Sequence, residues 1–150
     1  MADPHVATIS WRRTTEGFGV REYNARHEWR FDAGVTVPAS AGPAFRGDTD
    51  CVDPEEAFVA ALASCHMLSF LFCAARAGVV IDAYEDTAEG VLTKAEDKLP
   101  WVSKVTLRPK VTLADPAQAD RLDKLHHDAH EMCFIARSVK SEVVVEPSVA

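Results

Sequence analysis

A chain of 150 residues, 47% of them apolar and 26% charged, has the size and composition of one soluble domain. Its formal charge of −7 argues against nucleic acid or an anionic membrane as the main partner. The opening Met-Ala-Asp-Pro-His has no basic or apolar signal region, so a cytoplasmic location is expected, with all four cysteines reduced at rest.

His5 to Thr14 reads as a strand, and Thr15-Glu-Gly17 as a turn. Phe18 to Tyr23 and His27 to Phe31 read as further strands, rich in aromatic and β-branched residues. Val35 to Val37 is a short strand candidate. Pro38 to Val52 is a loop by its prolines, glycines and small residues.

The loop delivers the chain to the stretch that organises the rest, Asp53 to Gly78. Asp53 is a good N-cap, Pro54 suits the first helical position, and Glu56 completes a capping box. Gly78 is the natural residue just past the C-terminus. Between these ends Phe58, Val59, Leu62, Met67, Leu68, Phe70, Leu71 and Phe72 cover the whole circumference, which predicts a buried helix. At about 25 residues it is roughly 37 Å long. Cys65 and His66 at its middle and two glutamates at its start disfavour a membrane span.

Val79 to Ile81 and Tyr84 to Thr93 continue as strand, and Ala95 to Pro100 as a polar turn. Trp101 to Leu113 reads as one strand with one wet face; Pro109 marks an edge or bulge. Asp115-Pro116 repeats the cap pattern. The helix that follows carries Leu122, Leu125, Ala129 and Met132 on one stripe and ends near Cys133 to Ala136. Glu142 to Glu146 is the last strand. The order predicts a single α+β domain with an antiparallel sheet around a long buried central helix. One sheet and one amphipathic helix leave part of that helix uncovered, so a second copy of the chain is expected to cover the rest.

A cysteine within an apolar helix is ordinarily a small buried hydrophobe, and that reading fits Cys65 and Cys73 alike. These two lie two turns apart, about 12 Å, too far for a disulfide. Cys133, at the end of the second helix, can abut the middle of the first. A mid-helix thiol and a helix-end thiol suit a two-step cycle of sulfenic acid and disulfide. Such an attack needs a thiolate, which a nearby arginine favours, and a buried arginine needs a carboxylate to hold it. Glu55 is the candidate carboxylate. It lies about 15 Å along the helix from Cys65, so the two can share a site only between two antiparallel copies.

The run V-D-P-E-E-A-F-V-A-A-L-A-S-C-H, with the later A-H-E-M-C-F-I-A-R-S-V-K-S-E-V-V-V-E-P, resembles the OsmC/Ohr family of thiol-dependent peroxidases over roughly Trp11 to Pro147. Closest is the branch with S-C-H at the first cysteine. The resemblance implies an intertwined homodimer with sites at the interface. It puts Cys65 on the peroxidatic position, Cys133 on the resolving position and Glu55 on the arginine-holding carboxylate. It further implies reduction of organic hydroperoxides, recharging by small or lipoyl-type dithiols, and no bound cofactor. His66 stands where the well-studied branches have an aromatic, and Phe134 where they often have proline. No motif picks out the partner arginine; Arg26 is the first choice, with Arg30 and Arg46 as alternatives.

Two rival readings compete. His126, His130 and Cys133, spaced i, i+4, i+7, form a zinc site if Cys65 or His66 joins them. A long helix wrapped by a sheet also suits a non-catalytic module binding a hydrophobic ligand.

Overall fold

The computed structural model describes residues 4–150, which divide into two compact units, up to Ala57 and from Phe58. In the N-terminal unit β1 (Ala7–Ser10), β2 (His27–Phe31) and β3 (Thr36–Ala39) form an antiparallel sheet in that order. Gly34, at φ 83°, takes the left-handed position in the β2–β3 turn and donates to Phe31 O at 2.9 Å. The strand expected over Phe18 to Tyr23 is a turn instead. Glu22 reaches back to accept from the Gly19 N–H at 2.8 Å. A Cβ on Gly19 would lie 2.5 Å from that carboxylate, so the glycine is what lets this local bond outcompete strand pairing.

The central helix α1 (Pro54–Arg76) forms as its ends prescribe. Asp53 Oδ1 accepts from Glu56 N at 2.8 Å, and Glu56 Oε2 accepts from Asp53 N at 3.1 Å, a complete capping box. At the other end Gly78 sits at φ 72°, and Val79 N donates to Ala74 O at 2.9 Å, closing the C-terminus.

The C-terminal unit holds β4 (Ile81–Asp86), β5 (Glu89–Lys94), β6 (Pro100–Leu107), β7 (Pro109–Leu113), α2 (Leu122–Met132), β8 (Glu142–Val145) and β9 (Ser148–Val149). The class is α+β, but the sheets are mixed rather than antiparallel. β4 and β7 pair antiparallel, and β9 joins β7 in parallel. β5 and β6 pair antiparallel, and β8 joins β6 in parallel. The chain between β7 and β8, containing α2, supplies the long crossover that a parallel pair requires.

The expected single strand Trp101 to Leu113 is two strands in two sheets, divided at Arg108. Arg108 N donates to Asp86 Oδ1 at 2.7 Å, and its guanidinium meets Glu89 at 3.1 Å and Glu146 at 3.4 Å. Proline at 109 has no N–H for a continuing ladder, so the break falls there. The expected strand over residues 84–93 divides likewise, after Asp86. A short 3-10 turn (Pro116–Arg121), capped by Asp115 Oδ1 accepting from Ala117 N, precedes α2.

Two apolar clusters hold this unit. Leu62 packs with Val105 and Leu107 of β6. Phe70, Cys73 and Ala74 pack with Val111 and Leu113 of β7 and with Leu122, Leu125 and Ala129 of α2. Within one chain the expected all-round burial of α1 is not met: Leu68 is 61% and Phe72 53% exposed.

Candidate functional site

Cys65 lies at the middle of α1, partly buried; Cys133 is the C-cap of α2 and 1% exposed. All four cysteines are free thiols. α1 and α2 bring Cys65 and Cys133 together as interacting neighbours. Burial pushes the Cys133 thiol up to about 11; the backbone of Ala136 opposes this, and the neighbouring Cys65 thiol raises it further. Cys133 is therefore a protonated thiol at neutral pH. Cys73 belongs to the apolar core, its sulfur 3.7 Å from that of Met132.

His66 follows Cys65 on α1 but faces the core. Its Nε2 lies 3.1 Å from His126 Nδ1 of α2, and both rings are buried. Desolvation pushes both imidazoles down to about 4, helped at His66 by His126 and His130 and opposed at His126 by Asp123. Both are neutral at pH 7. This direct hydrogen bond escaped the sequence reading, which weighed His66 as a departure from a motif and as a possible zinc ligand beside His126, but not as that ring's partner. The one available signal was a histidine on an otherwise apolar helix, matched by another on the facing stripe.

Among the described residues no three His, Cys, Asp or Glu side chains converge as a metal-binding group. His126 and His130 share a cavity of about 290 Å³ with Asp123 and His127, whereas Cys133 interacts with Cys65.

Arg26 lies just ahead of β2 in the N-terminal unit, half-exposed. It donates to both carboxylate oxygens of Asp50, at 2.6 and 2.8 Å, and lies 3.8 Å from Asp48. Cys51 adjoins this cluster, its Sγ 3.9 Å from Asp50 Oδ1. Glu55, in the first turn of α1, is partly buried and has no hydrogen-bond or ion-pair partner among the described residues. Within the N-terminal unit, then, Arg26 is held by Asp50 and Asp48 rather than by Glu55. Of the alternative arginines, Arg30 is within β2, and the Arg46 guanidinium donates to the Val20 and Arg21 carbonyls. The same unit contains an apolar cavity of about 580 Å³ lined by Trp11, Phe18, Val20, Tyr23, His27 and Pro54 among others.

Residues 47–148 match the family model described as OsmC-like protein. The chain belongs to the OsmC family. An OsmC-like protein of unknown function from Vibrio cholerae is 43% identical, with a TM-score of 0.90 over 97% of this chain and 99% of that one. The OsmC fold extends to more distant structures. An organic hydroperoxide resistance protein from Elizabethkingia anophelis has a TM-score of 0.73 at 16% identity, over 100% of this chain and 97% of that one. The organic hydroperoxide resistance protein OhrB of Bacillus subtilis has 0.66 at 20%, over 99% and 98%. No curated protein matches the sequence. α1 is long and apolar enough to cross a membrane by length and composition alone; in this OsmC fold it packs Leu62, His66, Phe70, Cys73 and Ala74 into the C-terminal unit.

Proposed function

We propose that this OsmC-family protein is a thiol-dependent peroxidase that reduces organic hydroperoxides. The observation that carries the reading is the packing of α1 on α2, in which His66, next to Cys65, bonds His126, two turns before Cys133. The unequal burial of Cys65 and Cys133 suggests unequal roles. Cys65, the more accessible, attacks the outer oxygen of the hydroperoxide; the O–O bond breaks, an alcohol leaves with one proton, and Cys65 becomes a sulfenic acid. The buried Cys133 thiol then condenses with it, forming one S–S bond and releasing one water. A small or lipoyl-type dithiol takes the disulfide back to two thiols, and no bound cofactor enters the cycle. The organic hydroperoxide resistance proteins of similar fold support this substrate class.

The thiolate at Cys65 is favoured in this scheme by an arginine, first Arg26, with Glu55 of one copy brought beside Cys65 of the other across the interface of a cytoplasmic homodimer. The exposed Leu68 and Phe72 on α1 support such an interface, because large apolar side chains side by side on one helix favour cover by another surface. A second reading, binding of an apolar ligand without chemistry, is favoured only by the cavity beside Trp11 and Phe18.

Intact-mass spectrometry after one equivalent of cumene hydroperoxide tests the scheme. The wild type should lose two hydrogen atoms through a Cys65–Cys133 link. Cys133→Ser should instead gain oxygen on Cys65, after consuming about one equivalent of peroxide. A wild-type protein that consumes hydroperoxide without that link would end the peroxidase reading as written.

A further inference from the structure

The rings of His66 and His126 are nearly coplanar, their planes 7° apart and centroids 5.4 Å apart, with the 3.1 Å nitrogen contact between them. Phe70 stacks on His126 at 4.2 Å. The rings are 1% and 3% exposed. Their outer nitrogens, His66 Nδ1 and His126 Nε2, are buried without a partner, so each imidazole makes this one side-chain bond. Among the described residues it is the only nitrogen or oxygen hydrogen bond between α1 and α2, which also meet through the sulfurs of Cys73 and Met132.

Apolar packing between helices is non-directional and tolerates small slips. A buried hydrogen bond does not, because a slip orphans donor and acceptor together in a medium that cannot replace either. The same two helices carry the reactive pair. Cys65 immediately precedes His66, and Cys133 lies seven residues, two helical turns, beyond His126. We propose that the His66–His126 bond is a positioning device for disulfide closure, holding α1 against α2 at the register where the Cys65 and Cys133 sulfurs meet. The inference rests on the peroxidase reading for its reaction, the condensation of a Cys65 sulfenic acid with the Cys133 thiol to a disulfide and water.

The bond needs at least one neutral ring to accept; with both rings neutral, one donates and the other accepts. The groups around them are His130 and Asp123 on α2 and Tyr84 on β4, with Asp86 next to Tyr84. His130 disfavours a charge on His66, and Asp123 favours one on His126. Burial outweighs Asp123, so the pair stays neutral above about pH 5.

Replacing one imidazole leaves the other orphaned, whereas replacing both with apolar side chains is close to neutral for stability. The informative variant is therefore the double substitution His66→Leu and His126→Leu, with circular dichroism to check the fold. Sulfenic acid formation at Cys65, followed by trapping, should stay near the wild-type rate. Closure of the Cys65–Cys133 disulfide should slow about tenfold, the worth of one buried hydrogen bond. His66→Gln and His126→Asn each keep a nitrogen near the bonding position, and each should close within about threefold of wild type. A folded double variant that closes at the wild-type rate overturns the inference, as does failure of both conservative variants to close faster than the double variant. A parallel arm uses glutathione redox buffer without hydroperoxide. There the double variant should need about tenfold more oxidising buffer to close half its disulfide, and equal buffer requirements overturn the inference. This arm also separates the two ideas: a wild type that ignores hydroperoxide yet closes in buffer sinks the peroxidase reading and leaves positioning to be judged on the buffer result.

Discussion

Cys133 and Cys51 are both thiols beside polar neighbours, and they differ in what those neighbours are. Cys133 lies in a helix-lined core, and the groups acting on it are burial, a second thiol and backbone amides, with no cation among them. Cys51 lies on a loop next to Arg26, and its thiol is pushed up, first by desolvation and then by Asp50 and Asp48, while the cation pulls it down. The charge that would favour a thiolate thus occurs beside the cysteine without a thiol partner, already engaged by two carboxylates. The cysteine with a thiol partner is buried, with no such charge acting on it. Pairing of thiols and provision of charge are separate problems, and the C-terminal unit by itself shows a solution only to the first.

The strongest way to break that contrast is at the thiols. Cys65→Ser should lower hydroperoxide turnover by at least about a thousandfold, because every cycle needs the nucleophile. Cys51→Ser should leave turnover within about twofold. Equal losses in a coupled dithiol assay would mean that the loop cysteine shares the chemistry.

The exposed face of α1 comes next. Sedimentation at micromolar concentration should give twice the 16.4 kDa chain mass. Leu68→Asp with Phe72→Asp should shift it to monomer by placing charges in an apolar interface. A wild-type monomer that is well folded would remove any route by which a second copy completes the site.

Acid should act on the buried side of the comparison and spare the loop. The folded-state values of His66 and His126, about 4, lie below the 6.5 of an unperturbed histidine, so the unfolded chain takes up protons first as pH falls. The neutral pair's contribution is fully present above about pH 6.5 and lost by about pH 4, at most on the order of 3 kcal/mol per group. Urea titrations across that range should show the decline in wild type. The double leucine variant should be flatter; the same slope in both would assign the acid sensitivity elsewhere.

The smallest expected effects are at the loop charges. Arg26→Ala removes an exposed ion pair and should leave the melting temperature essentially unchanged. If Arg26 is the activating cation, the variant should alkylate more slowly at Cys65 near neutral pH, and Glu55→Ala should act in the same direction. An unchanged alkylation profile in Arg26→Ala would pass the role to Arg30, Arg46 or another group.

Much of this protein was legible in short runs of residues. Asp53, Pro54, Glu56 and Gly78 set both ends of α1, because caps act within one turn of chain. Of the stripe Leu122, Leu125, Ala129 and Met132, the first three mark the buried face of α2 for the same reason of local periodicity, while Met132, at the helix end, is exposed. The two cysteine motifs pointed to the family that the comparisons establish. What failed were elements decided by distant partners. Trp101 to Leu113 alternates like one strand, but Asp86, Glu89 and Glu146 gather on Arg108 and divide it between two sheets. The parallel placement of β8 and β9 depends on where a crossover returns, which no local pattern encodes. Phe18 to Tyr23 has strand composition, yet a single carboxylate on Gly19 turns it. At the site, sequence could propose that Cys65 and Cys133 meet. Only the packing of α1 on α2 decided that His66 would turn away from that pair to bond His126, since the partner of a buried imidazole is chosen by the core that encloses it.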